Sequence, residues 1–132
     1  MPKPESCRFM KSHEWAASEG GTVSVGVSDH AQKEISDVVF VELPKVGRKV
    51  KQGEPVAVIE SVKAAFDIYA PVSGEIVAAN DAVVKDPALV NRSSQEEGWL
   101  FKIKPSLASE LDGLMDWKAY GEFIKSAAAH GH

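Results

Sequence analysis

One cysteine, Cys7, is all the thiol this 132-residue chain carries. An internal disulfide framework is therefore excluded, and the composition fits a reducing compartment. No apolar run approaches the roughly 20 residues that a membrane-spanning helix needs. There is no excess of basic residues either: the formal net charge is -4 and the pI about 5.5, so the basic face of a nucleic-acid binder is missing. Catalytic sets are absent as well. No phosphate-cradling glycine loop, H-E-x-x-H or CxxC occurs, and Ser28-Asp29-His30 are neighbours suited to capping a helix, unable to form a relay. His13, beside Trp15, reads as a packed or hydrogen-bonded residue. His130 and His132 lie on a loose end without a third ligand, so no metal site is expected. Met1 to Glu5 lacks an apolar signal core and the Arg/Ser enrichment of a transit peptide.

What is present suits one globular domain, 1–132, with 44% hydrophobic and 26% charged residues and length enough to bury a single core without staples. Most of it reads as short strands. Thr22 to Val27 alternates valine with small or polar positions, the period-two mark of a half-buried strand. Val38 to Leu43 is a strand stopped by Pro44, Glu75 to Ala79 another, and Trp99 to Ile103 the last. Cys7 to Ala16 is a mixed segment suited to an edge strand. Ser28 to Ile35 begins with capping residues and fits a helix of about two turns, with Asp29 and Gln32 spaced as a capping box. Asn80 to Asn91 reads as a loop with one helical turn. From Ser109 to about Ala128, apolar residues recur at three and four (Leu111, Leu114, Met115, then Tyr120, Phe123, Ile124), giving two short helices with Asp116 as the cap between them. Seven or eight strands with little helix indicate a sandwich or flattened barrel.

The stretch of most interest is Val56 to Tyr69: two β-branched and aromatic runs with Lys63 between them, expected to form a hairpin carrying the lysine at its tip. The turn has no glycine, Asn-Gly or Asp-Gly, the usual makers of a two-residue hairpin turn. Gly-Glu-x-Val-Ala occurs at Gly53 and again at Gly74, a 21-residue offset, so the two glycines flank Lys63 ten residues before and eleven after it. That faint repeat places Lys63 near a pseudo-two-fold axis. Read from these residues, Lys63 is either an amine presented for covalent modification or a solvated lysine in an ordinary loop.

Segments along almost the whole chain decide between the two. Ser12-His13-Glu14-Trp15, Val25 to Gln32, Val38 to Pro44, Glu60-Ser61-Val62-Lys63-Ala64, Tyr69 to Glu75, Leu89-Val90-Asn91 and Gly98 to Ile103 resemble, in order, the glycine cleavage system H-protein family. The resemblance implies a mainly β fold, a barrel-sandwich hybrid of the lipoyl/biotinyl type built from two pseudo-symmetric antiparallel layers. Its lipoyl-like core would span about 22–104 and its C-terminal helical segment about 106–128. Biotin carriers have Met-Lys-Met at the tip, unlike Val62 and Ala64 here. Acyltransferase lipoyl domains have Asp before the lysine and are shorter.

The resemblance further implies lipoic acid in amide linkage to Lys63, attached by a lipoate ligase or a lipoyl/octanoyl transferase that reads Glu60, Ser61, Val62 and Ala64. The loaded carrier would pass an aminomethyl group from glycine decarboxylase to aminomethyltransferase and electrons to dihydrolipoyl dehydrogenase, itself catalysing nothing. Ser12, Glu14 and Asp67 match residues on which the loaded arm docks, with Glu14 or Asp67 accepting its ammonium. A monomer is expected, in the cytoplasm of a bacterium or, as a trimmed chain, in the mitochondrial matrix. Alternative roles are a relay donating lipoyl groups to other complexes and an unmodified β-interaction module. Three departures from the family pattern stand out: Phe66 where a small polar residue is usual, Ser36-Asp37 in place of Gly-Asp, and no Pro-aromatic pair in Arg92 to Glu97. Phe66 would either wall the arm's groove or obstruct it.

Overall fold

The structure is a computed structural model that describes residues 6–107 and 109–129, with side chains as far as 126. His130 and His132 lie outside the described residues. Among the described residues nine strands and five helices follow in the order β1 (Arg8–Phe9), β2 (Glu14–Glu19), β3 (Thr22–Val27), α1 (Asp29–Ile35), β4 (Val38–Glu42), β5 (Lys49–Val50), β6 (Pro55–Ser61), β7 (Ala65–Tyr69), β8 (Gly74–Ala79), α2 (Asp81–Lys85), α3 (Leu89–Arg92), β9 (Phe101–Pro105), α4 (Ser109–Asp112) and α5 (Trp117–Ala129). They form two antiparallel sheets, β1-β2-β3-β9-β8-β5 and β4-β6-β7. The two layers with short helices are as the sequence led one to expect. The count exceeds seven or eight because β1 and β5, two residues each, are too short to show a period.

Both sheets turn apolar side chains into one core, where Val25, Val41, Ile59, Ile76 and Ile103 are almost completely buried. Strand β2 also faces the other way. Trp15 and Ala17 join Cys7, Phe9 and Tyr120 in a second cluster between the large sheet and α5, while Ala16 belongs to the first. A strand buried on both faces has no apolar–polar alternation to read, which is why the sequence marked this region only as a mixed segment ending at Ala16. The chain in fact breaks at Met10 to His13, where the His13 amide donates to the Met10 carbonyl, and β2 runs on to Glu19. A close approach holds it down: Gly26 lies so near the Trp15 indole that a Cβ would sit 2.7 Å from the ring, and the indole N–H donates to the Ser94 carbonyl at 2.9 Å.

The cap of α1 is Ser28, one residue earlier than the capping-box spacing indicates: its Oγ accepts from the Ala31 amide at 3.1 Å. Gln32 donates instead to the Asp29 side chain. Asn80 to Arg92 holds two short helices, where a loop with one helical turn is expected over Asn80 to Asn91, with Asn80 capping α2. Strand β9 starts at Phe101 and not at Trp99, because the Trp99 carbonyl is taken by Asn80 Nδ2 at 2.7 Å. Asp116 caps α5 as its position suggested, accepting from the Ala119 amide.

Candidate functional site

Strands β6 and β7 form the expected hairpin, in register from Ile59↔Phe66 and Glu60↔Ala65 to the tip. Among the described residues only His13 and Ser36 have positive φ without being glycine, so Val62 and Lys63 stay in the ordinary region and the turn is not of the type that glycine serves. Ser61 supplies what glycine does not. Its amide donates to the Ala64 carbonyl at 2.9 Å, and its hydroxyl oxygen accepts from the amides of Lys63 at 3.0 Å and Ala64 at 3.2 Å. A hydroxyl that pairs with two backbone donors closes the turn without left-handed backbone.

The tip is tied to the end of α1. The Val62 amide donates to the Asp37 carbonyl at 3.0 Å, and Lys63 Nζ donates to the Glu34 carbonyl at 3.2 Å. An ammonium is favoured there because the last carbonyls of a helix are unpaired and its dipole is negative. Lys63 nevertheless remains exposed.

Beside the lysine opens a groove of about 440 Å³, to which five segments contribute. Val27, Ala31, Ile35, Phe66, Ile68 and Ile124 make it apolar. Ser12, His13, His30, Glu34 and Asp67 give it polar points. Glu34, whose carbonyl holds Nζ, joins the lysine to the rim. Three of the four arm-docking residues expected from the sequence (Ser12, Phe66 and Asp67) therefore share one groove. Phe66 is half-buried against the core and forms a wall.

Glu14 is placed differently. It is 1% exposed and lies behind Ser12, whose hydroxyl donates to its Oε1, while Oε2 accepts from the Tyr69 amide at 2.8 Å. Burial pushes its carboxyl above the ordinary glutamate range, with those hydrogen bonds opposing. Its reach to the groove runs through Ser12.

His30, Glu34, Ile35 and Ile124 are groove residues that the sequence reading does not single out, and of His13 it expects only packing or hydrogen bonding. Residues 30, 31, 34 and 35 are one face of a helix, and that spacing is the signal the sequence offers for them. Ile124 arrives from α5 with no local signal. His13 holds its Nδ1 2.7 Å from the Tyr120 hydroxyl, which lies 2.6 Å from Ser28 Oγ. Its ring centroid is 5.0 Å from that of His30. Burial, and secondarily His30, push His13 below its usual value. Burial pushes the Tyr120 phenol up to about 12.

The family model described as "Glycine cleavage H-protein" matches residues 7–127. The glycine cleavage system H protein of Thermus thermophilus is 53% identical over 128 residues, covering 97% of this chain and all of the relative. That of Thermotoga maritima is 51% identical over 116 residues, 88% of this chain and 94% of its own length. A crystal structure of a glycine cleavage system H protein from Mycobacterium marinum superposes with a TM-score of 0.82 at 32% identity, covering 96% of this chain and 99% of the other.

Proposed function

The chain belongs to the glycine cleavage H-protein family, and from that premise we propose that it is the lipoyl-lysine carrier of a glycine cleavage system, modified at Lys63. One observation carries the reading: a lysine at the tip of a braced hairpin stands on the rim of an apolar groove with polar points. The residues fit a lipoyl chain, since the groove's aliphatic and aromatic walls suit its methylenes and the exposed Nζ is open to acylation. A lipoyl group in amide linkage there supplies a disulfide that opens to take an aminomethyl group from glycine decarboxylase, yields it to aminomethyltransferase, and is closed again by dihydrolipoyl dehydrogenase.

The chain's own part is positioning and shelter. Acylation removes the charge of Nζ but leaves an amide N–H able to keep the bond to the Glu34 carbonyl. Ser12 spends its proton on Glu14, so its oxygen lone pairs are what it offers the groove, an arrangement that suits a cationic cargo. Asp67 adds a negative charge. His13, pushed toward its neutral form by burial, adds no opposing charge near neutral pH. The apolar walls exclude water from a cargo that water would hydrolyse. The bacterial relatives support a cytoplasmic home over a mitochondrial one.

Intact mass of the protein from its native source, labelling of the purified chain by lipoate ligase, and glycine decarboxylation in a reconstituted system test this reading. Addition of one lipoyl mass, lost in Lys63→Arg together with carrier activity, is expected. An unmodified native mass combined with no labelling in vitro overturns it.

A further inference from the structure

Strand β4 carries a bulge beside the tip. Val38 pairs with Ser61 and Phe40 with Glu60, leaving Val39 as the extra residue. A regular strand would send Val39 and Phe40 to opposite faces; the bulge leaves both in solvent, 56% and 46% exposed, before Val41 returns to the core at 2%. Val62, 69% exposed, is brought to the start of β4 by its hydrogen bond to the Asp37 carbonyl. Apolar residues exposed singly need no explanation, but three gathered beside one lysine do.

The sheet rows nearest them are acidic. On the outer face of the small sheet the cross-strand rows are Phe40–Glu60–Ala65 and Glu42–Val58–Asp67. They hold three carboxylates, and Glu42, Glu60 and Asp67 are all exposed; the cations Lys45 and Arg48 border the second row, at the end of the sheet away from the tip. An apolar patch set in an acidic field fits a protein surface with an apolar socket ringed by basic side chains.

We propose that Val39, Phe40 and Val62, with Glu42 and Glu60, are the docking surface for the enzyme that acylates Lys63, a protein presenting such a basic-rimmed apolar socket. The inference rests on the reading of Lys63 as the modified lysine and extends its recognition from the tip sequence to β4. That enzyme is the occupant because, among the enzymes of the proposed cycle, it alone has to bring Nζ itself into its active site, within one side chain's length of the hairpin backbone. Enzymes that act on the far end of an attached arm can stand off. In the step served, the deprotonated Nζ attacks the carboxyl carbon of an activated acyl donor, an acyl adenylate or acyl thioester. The amide C–N bond forms, the bond to the leaving group breaks, the leaving group departs with its electron pair, and the nitrogen gives up one proton to the leaving group or solvent, without any change of oxidation state.

The test is the rate of lipoate attachment to the full chain by lipoate ligase with ATP and lipoate, followed by intact mass across protein concentrations and at low and high salt. Phe40→Ser and Val39→Thr are the variants, Val77→Ser on β8 is the exposed apolar control, and melting temperatures confirm folding. Phe40→Ser is expected to raise KM about tenfold with kcat nearly unchanged, Val39→Thr to raise it less, Val77→Ser to leave it alone, and salt to raise KM of the wild type. Wild-type KM in both folded β4 variants overturns the proposal. So does a KM raised only in the later transfer reactions, which assigns the face to the enzymes that act on the arm. Absence of acylation of the wild type overturns the carrier reading and this one with it.

Discussion

Asn91 grips Ser36 across 55 residues of sequence: its Nδ2 donates to the Ser36 carbonyl at 2.8 Å while its Oδ1 accepts from the Val38 amide at 2.9 Å. Ser36 ends α1 at φ 67, ψ -158, a region that glycine alone occupies without strain. Ser36-Asp37 stands where the family resemblance leads one to expect Gly-Asp, and the Ser36 backbone adopts a conformation suited to glycine. Asn91 is one of the groups that hold it there, and the same corner delivers Asp37 and Glu34 to the hairpin tip.

Ser36→Gly is expected to stabilise the protein by about 1 kcal/mol, relief of strain exceeding the entropy that glycine loses, with a rise of a few degrees in Tm. Asn91→Ala is expected to cost about 2–3 kcal/mol by leaving the Ser36 carbonyl and Val38 amide unpaired. Because removing Asn91 from the wild type also lets the strained Ser36 relax, its removal costs more in the Ser36→Gly background. Denaturant unfolding of the double-mutant cycle measures the difference, and simple additivity contradicts it.

Ser61→Ala removes the acceptor for the Lys63 and Ala64 amides. Water can replace it at this exposed tip, so the cost in stability is small, about 0.5 kcal/mol. The larger effect is expected in lipoate attachment, slowed several-fold because Lys63 is less firmly presented; a wild-type rate refutes this.

Tyr120→Phe removes the hydroxyl from between His13 and Ser28 and is expected to cost about 1–3 kcal/mol. The folded protein keeps the phenolic proton up to about pH 12, whereas the unfolded chain loses it near pH 10. The folded state therefore binds more protons in that window, and wild-type stability falls as pH rises from about 10 to 12. Thermal melts across this range are expected to show that slope in the wild type and a smaller one in Tyr120→Phe.

Glu14 gives a similar sign at the acid end. Its carboxyl is raised by burial above the usual 4.5, so the folded state holds a proton the unfolded chain releases. Its contribution to stability decreases as pH rises through the interval from 4.5 to the raised value. Glu14→Gln is expected to remove that part of the pH dependence while retaining an acceptor for the Tyr69 amide. Unchanged curves in the two proteins argue against a raised carboxyl.

Phe66→Ser opens the wall of the groove. Losing about 1–2 kcal/mol of apolar contact with the arm is expected to raise the hydrolysis rate of the loaded carrier by roughly fivefold to thirtyfold. Ser12→Ala tests the polar side in the same assay, without touching the wall. Slower hydrolysis in Phe66→Ser would mean that the ring obstructs the arm.

By itself the sequence determined the local features. The alternating valines of β3, the stop at Pro44, the hairpin with Lys63 between its strands, the cap at Asp116 and the family resemblance are all written within short stretches, because period, turn chemistry and capping act over a few residues. Tertiary structure decided what depends on distant partners. Strand β2 lies between two cores and shows no period. The groove draws on five segments, from Ser12 to Ile124, and only packing brings them together. Glu14 sits behind Ser12 because β2 turns its side chain toward the Tyr69 amide. The bulge at Val39 depends on register against β6, which β4's own run of valines does not specify. A side chain's type follows from its codon, but whether it faces solvent, groove or core is set by the strand or helix packed against it.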